Sequence, residues 1–250
     1  MHACTESAER GLFTEPAYTL SREDSEHPLI LVCEHASRFI PAGLNDLGLS
    51  HDAAREHIAW DIGALALAEG LSRAIGATLL AANYSRLLID LNRPRHAPDS
   101  IPSQSEIYQI PGNRDLDEAT RDYRRECLFK PFHARLQTLI DQRIAQGRPV
   151  RVVGIHSFTP VFHGQPRALE VGVLFGEAKG YAQRLIDGLS QYPLKVAGDE
   201  PYKINPRGDM TVPVHGDARG LESVLIEVRN DLLRTPENVS RWTAYLAPLL

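Results

Sequence analysis

Pro28-Leu29-Ile30-Leu31-Val32-Cys33-Glu34-His35 decides how the rest of this chain is read. The apolar residues run without alternation and stop abruptly at an acid and a histidine. A strand with one wet face alternates polar and apolar positions, whereas a short unbroken run fits a strand covered on both faces, as in a parallel sheet. Two later runs repeat the pattern: Val150-Arg151-Val152-Val153-Gly154-Ile155 ends at His156-Ser157, and Ser223-Val224-Leu225-Ile226 ends at Glu227. Working outward, Ala77 to Asn83 and Leu87 to Leu91 read as two neighbouring strands, and Ala168 to Phe175 as another.

Helical patterns lie between these runs. Residues 51–74 place Ile62, Leu65, Leu67 and Leu71 near helical spacing, with Gly76 at a plausible end. Residues 117–146 carry Tyr123, Cys127, Phe132, Leu136 and Ile140 along one side, and Pro131 predicts a kink there. Residues 180–190 form a further helix, and 238–250 a closing one, with Thr235 as N-cap ahead of Pro236. Alternating strands and helices with no Gly/Ser linker predict one α/β domain: three α/β/α layers around a mixed, mostly parallel sheet. Residues 1–27 are polar and aperiodic and read as an N-terminal extension, leaving 28–250 as the domain.

Composition removes several function classes. A net charge of -5 gives no basic footprint for nucleic acid, and the basic cluster Arg121 to Lys130 is broken by Glu126 and reads as a solvated helix face. The 3 cysteines, Cys4, Cys33 and Cys127, have no CxxC spacing, so neither a disulfide framework nor a Cys-rich zinc site is expected. Cys33, inside an apolar run, reads as a buried small hydrophobe. The first residues lack an apolar signal segment, and no run approaches the roughly 18 apolar residues of a membrane span. The expected compartment is the cytosol, with a small-molecule partner and homo-oligomerisation left open.

The chemistry gathers at strand ends. Strands running parallel would bring Glu34-His35, His156 and Glu227 to one sheet edge, where such folds bind ligands. Buried ionisable groups must be paired, hydrogen-bonded or bound to metal. Two histidines with carboxylates suit zinc, with ligands from separate elements since HExxH is absent. Nucleophile-elbow, phosphate-loop and dinucleotide motifs are also missing. A second constellation, Tyr84-Ser85-Arg86 through Asp90-Leu91-Asn92-Arg93, flanks a short apolar run with two guanidinium groups. Alternation would put Leu88, Asp90 and Asn92 on one face. Arg86 or Arg93 could clasp a substrate carboxylate bidentately; an internal Asp90–Arg ion pair is the plainer alternative. His57 reads as a surface-helix residue, His96 and His163 as exposed, and the Pro-rich loop 94–115, with Glu106 and Tyr108, as a surface loop or a lid.

These motifs in order, Glu34-His35-Ala36-Ser37 with Ile40-Pro41, Asp61-Ile62-Gly63-Ala64, Tyr84-Ser85-Arg86 to Arg93, Pro131-Phe132-His133, His156-Ser157, His215-Gly216-Asp217 and Ile226-Glu227, resemble the N-formylglutamate amidohydrolase family. The resemblance implies a fold similar to zinc-dependent exopeptidases. It also implies hydrolysis of N-formyl-L-glutamate to formate and glutamate, a step of bacterial histidine breakdown. By that resemblance His35 and His156 are metal ligands, with Asp61 as the third and Glu34 as its competitor. Glu227 is the general base, His215 assists the leaving amine, and Arg86, Asn92, Arg93 and His133 contact substrate. The implied cofactor is a divalent metal, Zn2+ by preference, and the implied partner an N-acyl amino acid. Glu-His-Ala-Ser and Val-His-Gly-Asp differ from the Pro-His-Xaa-Gly and Arg-His-Tyr-Gly-Asp of the histidine-pathway enzymes, which places the chain on a sister branch. Alternatives are a metal-dependent peptidase or amidase on another small amide, and a non-catalytic amino-acid-binding protein.

Overall fold

The computed structural model describes residues 7–250, so Cys4 lies outside the described residues. In chain order the elements are strands β1 (Tyr18–Ser21) and β2 (Leu29–Cys33), helix α1 (Ala64–Ile75), β3 (Thr78–Ala82), the hairpin of β4 (Gln104–Ser105) and β5 (Tyr108–Gln109), α2 (Glu118–Arg124) and α3 (Lys130–Ala145). Then come β6 (Arg151–Phe158), the hairpin of β7 (Val161–Phe162) and β8 (Gln165–Pro166), β9 (Val171–Phe175), α4 (Lys179–Leu189), β10 (Val196–Gly198), β11 (Glu222–Arg229) and α5 (Pro236–Leu246). Seven strands make one sheet in the order β1-β3-β2-β6-β11-β9-β10. β3, β2, β6 and β11 are parallel neighbours, while β9 runs antiparallel to β11 and β1 antiparallel to β3. This is the mixed, mostly parallel α/β architecture read from the sequence.

Pleating explains the unbroken apolar run of β2. Leu29, Leu31 and Cys33 enter the core shared with α1, α4 and α5, and Ile30 and Val32 enter the core shared with α3. Both faces are dry, so every position is apolar. Thr235 caps α5 by accepting a hydrogen bond from the Asn238 amide, and Gly76 ends α1 at φ 73°. The long helical stretch contains a π-helical turn over Arg125–Phe129, just ahead of Pro131. Pro131 has no N–H for the carbonyl of Cys127, so the ladder is irregular there without breaking.

Four expectations are corrected. The 51–74 helix begins only at Ala64; Gly63 precedes it at φ 82°, and the chain before it turns past Asp61. A Cβ on Gly63 would stand 2.4 Å from Leu233 Cβ, so this turn needs glycine twice over. Leu87 to Leu91 is not a strand: Leu87 to Asn92 are all buried in an irregular loop, with no alternation of faces. Its buried carbonyls are satisfied by side chains. Asn113 Nδ2 donates to Leu87 O, Arg124 to Leu88 O and His133 Nε2 to Leu91 O, at 2.7, 3.0 and 2.8 Å.

The basic cluster is likewise not a solvated face, because Arg124 is wholly buried. Residues 7–27 are not a separate extension: Glu9 accepts from Arg124 Nε at 2.9 Å, and β1 forms the sheet edge. The reason is electrostatic, since a guanidinium enclosed by the core requires a carboxylate, and among the described residues Glu9 of this segment supplies it. Glu9→Ala is expected to destabilise the fold by about 3 kcal/mol in urea unfolding, because it leaves that buried charge unpaired. Glu23→Ala, which removes the largely exposed partner of Arg135, should cost under about 1 kcal/mol. Equal small losses would show that Arg124 does not depend on Glu9.

Candidate active site

The carboxyl ends of β2, β6 and β11 bring together the three motifs that close their apolar runs. β6 and β11 pair with Glu227 opposite His156, so the two side chains emerge on the same side as neighbours. Glu34 follows β2, and its carboxylate accepts from His156 Nε2 at 2.9 Å and from the Thr211 hydroxyl. His35 Nε2 donates to Asp90 Oδ1 at 2.8 Å. Each imidazole therefore has its Nε2 occupied by a carboxylate and turns Nδ1 inward. Asp61 lies between them, its Oδ2 at 3.4 Å from His35 Nδ1 and 3.1 Å from His156 Nδ1.

His35, Asp61 and His156 are all buried, and their ligand atoms lie within 4.8 Å of one another. His35 Nδ1 has no hydrogen-bond partner among the described residues. A lone pair fixed by a carboxylate on the opposite nitrogen is how metal-binding histidines are oriented, so the residues fit a divalent ion. Asp61, rather than its competitor Glu34, joins the cluster, while both oxygens of Glu34 are engaged behind it. Although burial opposes ionisation, the two imidazoles hold Asp61 well below the usual carboxylate range. Against the same burial, His156 brings Glu34 down to about 2. The Ser157 amide and Arg86 also donate to Asp61, at 3.1 and 3.3 Å.

Glu227 behaves oppositely. Burial pushes its carboxyl up to about 7; His156 works against this, and the Asp61 charge adds to it. Its Oε2 is buried without a hydrogen-bond partner among the described residues. Two carboxyls in one site, one held ionised and one poised near neutrality, is the pattern of a site with divided acid–base roles.

These groups line a cavity of about 520 Å³, within the usual range for small-molecule sites. Arg86, Asn92 and Arg93 line it as expected, but each is already engaged. Arg86 donates to Asp90 Oδ2 through Nε at 3.1 Å and NH2 at 2.6 Å, which is the internal ion pair weighed from the sequence. Arg93 is held by Asp99 and Asp209, and Asn92 Oδ1 accepts the Met210 and Thr211 amides.

His133 and His215 are not among the residues lining the cavity. Their rings stack with an interplanar angle of 1°, joined Nδ1 to Nε2 at 2.9 Å, and burial lowers them to about 4 and 3. As a neutral pair they secure the Leu91 carbonyl rather than touch the cavity contents.

Sequence reading missed the wall contributed by residues 202–209. Nothing in that polar segment distinguished it from a surface loop. Gly172, the register partner of Glu227 on β9, lets this segment approach, since a Cβ there would stand 1.7 Å from Glu200 O. His57 sits in a turn, lines the cavity and meets Glu106 Oε2 at 2.7 Å, while the His163 amide donates to Glu106 Oε1 at 2.9 Å. The Pro-rich loop thus forms part of the rim. Cys33 is buried, and burial pushes its thiol well up, away from nucleophilic use.

Fold and site together define an α/β/α protein with a buried His–Asp–His group and a free carboxyl at the carboxyl edge of its sheet. The family model of N-formylglutamate amidohydrolase matches residues 27–234, and the chain belongs to this amidohydrolase family. Among solved structures, a gene product of Agrobacterium tumefaciens is 41% identical with a TM-score of 0.89, the match covering 94% of this chain and 93% of that one. An N-formylglutamate amidohydrolase from Ralstonia eutropha is 21% identical with a TM-score of 0.70, covering 94% and 96%, and shares the fold. No curated protein sequence matches the chain. Among the described residues no helix is long and apolar enough to cross a membrane.

The raised carboxyl has a consequence for stability. Folded Glu227 ionises near 7, against 4.5 for an ordinary glutamate. Between those values the native state holds the extra proton, so stability falls as pH rises through the window and the loss is complete above about 7. In metal-free protein Glu227→Gln removes this loss. The stability of the variant relative to the parent should grow by up to about 3 kcal/mol between pH ~4 and pH ~8.5, read by urea unfolding. A difference that stays constant with pH would refute the raised carboxyl.

Proposed function

We propose that the chain hydrolyses the amide of an N-formyl amino acid, N-formyl-L-glutamate foremost, to formate and the free amino acid, as a metal-dependent enzyme. The observation that carries this reading is the unpartnered, buried Glu227 carboxyl beside the His35–Asp61–His156 group. Those three residues would hold a divalent ion, zinc by the preference of imidazole with carboxylate for that metal. When bound, it supplies a Lewis acid for the amide oxygen and acidifies water in the site.

The chain's own groups do the rest. Glu227, as carboxylate, takes a proton from the attacking water as the new C–O bond forms at the formyl carbon. The same carboxyl then returns that proton to the nitrogen as the C–N bond breaks, so formate and the amine leave in balance. A buried carboxylate with no hydrogen-bond partner among the described residues suits both transfers. Arg86, fixed by Asp90 and Asp61, presents a preorganised guanidinium N–H donor to the wall where negative charge develops. Asp90 and Glu34 hold the two imidazoles by Nε2 and keep Nδ1 free for metal. His133 and His215 act from behind, through the loop that carries Asp90 and Asn92.

Formate release from N-formyl-L-glutamate by purified protein, with chelator and with added zinc, tests the reading. The expected result is release that chelator abolishes and zinc restores. His156→Ala should lose both metal and activity, and Glu34→Gln should weaken metal binding about 10- to 100-fold. Glu227→Gln should keep its zinc while kcat drops roughly 10²- to 10⁴-fold. Release by metal-free protein, or full activity in Glu227→Gln, would sink the mechanism. Zinc-dependent cleavage of acetyl or peptidyl substrates without deformylation would move the chain to another small amide.

A further inference from the structure

The cavity wall contains three arginine or lysine side chains, Arg86, Arg93 and Lys203. Two are neutralised by the protein itself, Arg86 by Asp90 and Asp61 and Arg93 by Asp99 and Asp209. The imidazole of His57, also on the wall, is occupied by Glu106. The Lys203 side chain, in contrast, makes no hydrogen bond or ion pair among the described residues, and the residue is exposed while lining the cavity.

The backbone that carries Lys203 is held on both sides. Gly172 admits Glu200 O against β9, and Tyr202 accepts a hydrogen bond from Arg167 at 3.0 Å while the same guanidinium lies 5.0 Å from its ring centroid. Beyond it, the Asn205 amide donates to Asp209 Oδ2 at 2.7 Å, and Asp209 is in turn locked to Arg93. A free ammonium on an anchored backbone is a binding group awaiting an anion, because the cost of ordering the chain around it is already met.

We propose that Lys203 is the specificity determinant of this site, binding the side-chain carboxylate of an acidic N-formyl amino acid. The assignment rests on the proposed function, which puts the reacting amide at the buried His35–Asp61–His156 floor. The substrate group farthest from that amide then points away from the buried floor, toward the exposed part of the lining to which Lys203 belongs. The assignment replaces the expectation that Arg86 or Arg93 clasps this carboxylate, since each would first have to give up two carboxylates of its own.

The test compares zinc-loaded parent, Lys203→Gln and Lys203→Arg on N-formyl-L-glutamate and its neutral isostere N-formyl-L-glutamine. In Lys203→Gln the ratio of kcat/KM for the acid over the amide should fall about 10- to 100-fold, as for loss of a charge-assisted hydrogen bond. The fall should lie in KM, and Lys203→Arg should retain most of the preference. An unchanged ratio in Lys203→Gln, or a parent that does not distinguish the two substrates, would overturn the assignment. Should neither substrate be hydrolysed, the proposed function fails and Lys203 is judged by calorimetric binding of L-glutamate and L-glutamine. Glutamate binding lost selectively in Lys203→Gln would support the carboxylate site. Binding equal in parent and variant, or absent from the parent, would end it.

Discussion

The parallel pairing of β6 with β2 on one side and β11 on the other is the constraint from which the site follows. It sets Glu227 opposite His156 and lets Glu34 reach His156 across the neighbouring strand. A slip of one residue in either pairing would send half of these side chains to the other face of the sheet. The register is protected by apolar packing on both faces, so the same burial that stabilises the sheet also fixes the ionisable groups. Those groups have no water to fall back on and must answer one another.

That mutual dependence organises the charges. Asp61 and Asp90 share Arg86; Glu34 and Asp90 each hold one imidazole. The result is a tier of buried carboxylates kept ionised by cations, with Glu227 left over. Its only close influences are burial, which favours the neutral acid, and charges that partly cancel. The rim is built separately, from Glu106 bridging two loops and from the 202–209 segment lying against Gly172.

Much of the fold was legible because the sheet announces itself. Runs without alternation in β2, β6 and β11, short and rich in β-branched residues, fit strands covered on both faces, and the polar residues that end them mark the carboxyl edge. The two histidines and Glu227 were legible for the same reason. Leu87 to Asn92 was misread because its composition imitates a buried strand. In fact its carbonyls are satisfied by Asn113, Arg124 and His133 from distant elements, which no local pattern reveals. The leaving-amine role of His215 came from the family resemblance alone; the side chain stacks on His133 outside the cavity lining, a contact that local sequence does not show.

The sequence by itself determined the α/β class, the central strands along the chain and the ionisable residues that end them, because hydrophobic periodicity and abrupt polar endings are local properties. Tertiary structure alone decided that Asp61 completes the histidine pair while Glu34 stands behind it. It alone decided that Arg86 and Arg93 are paired with carboxylates while Lys203 has no such partner among the described residues, and that Glu9 pairs with Arg124. Each of these is a pairing of charges far apart in the chain, and electrostatic partners are chosen by distance in space, which sequence spacing does not encode.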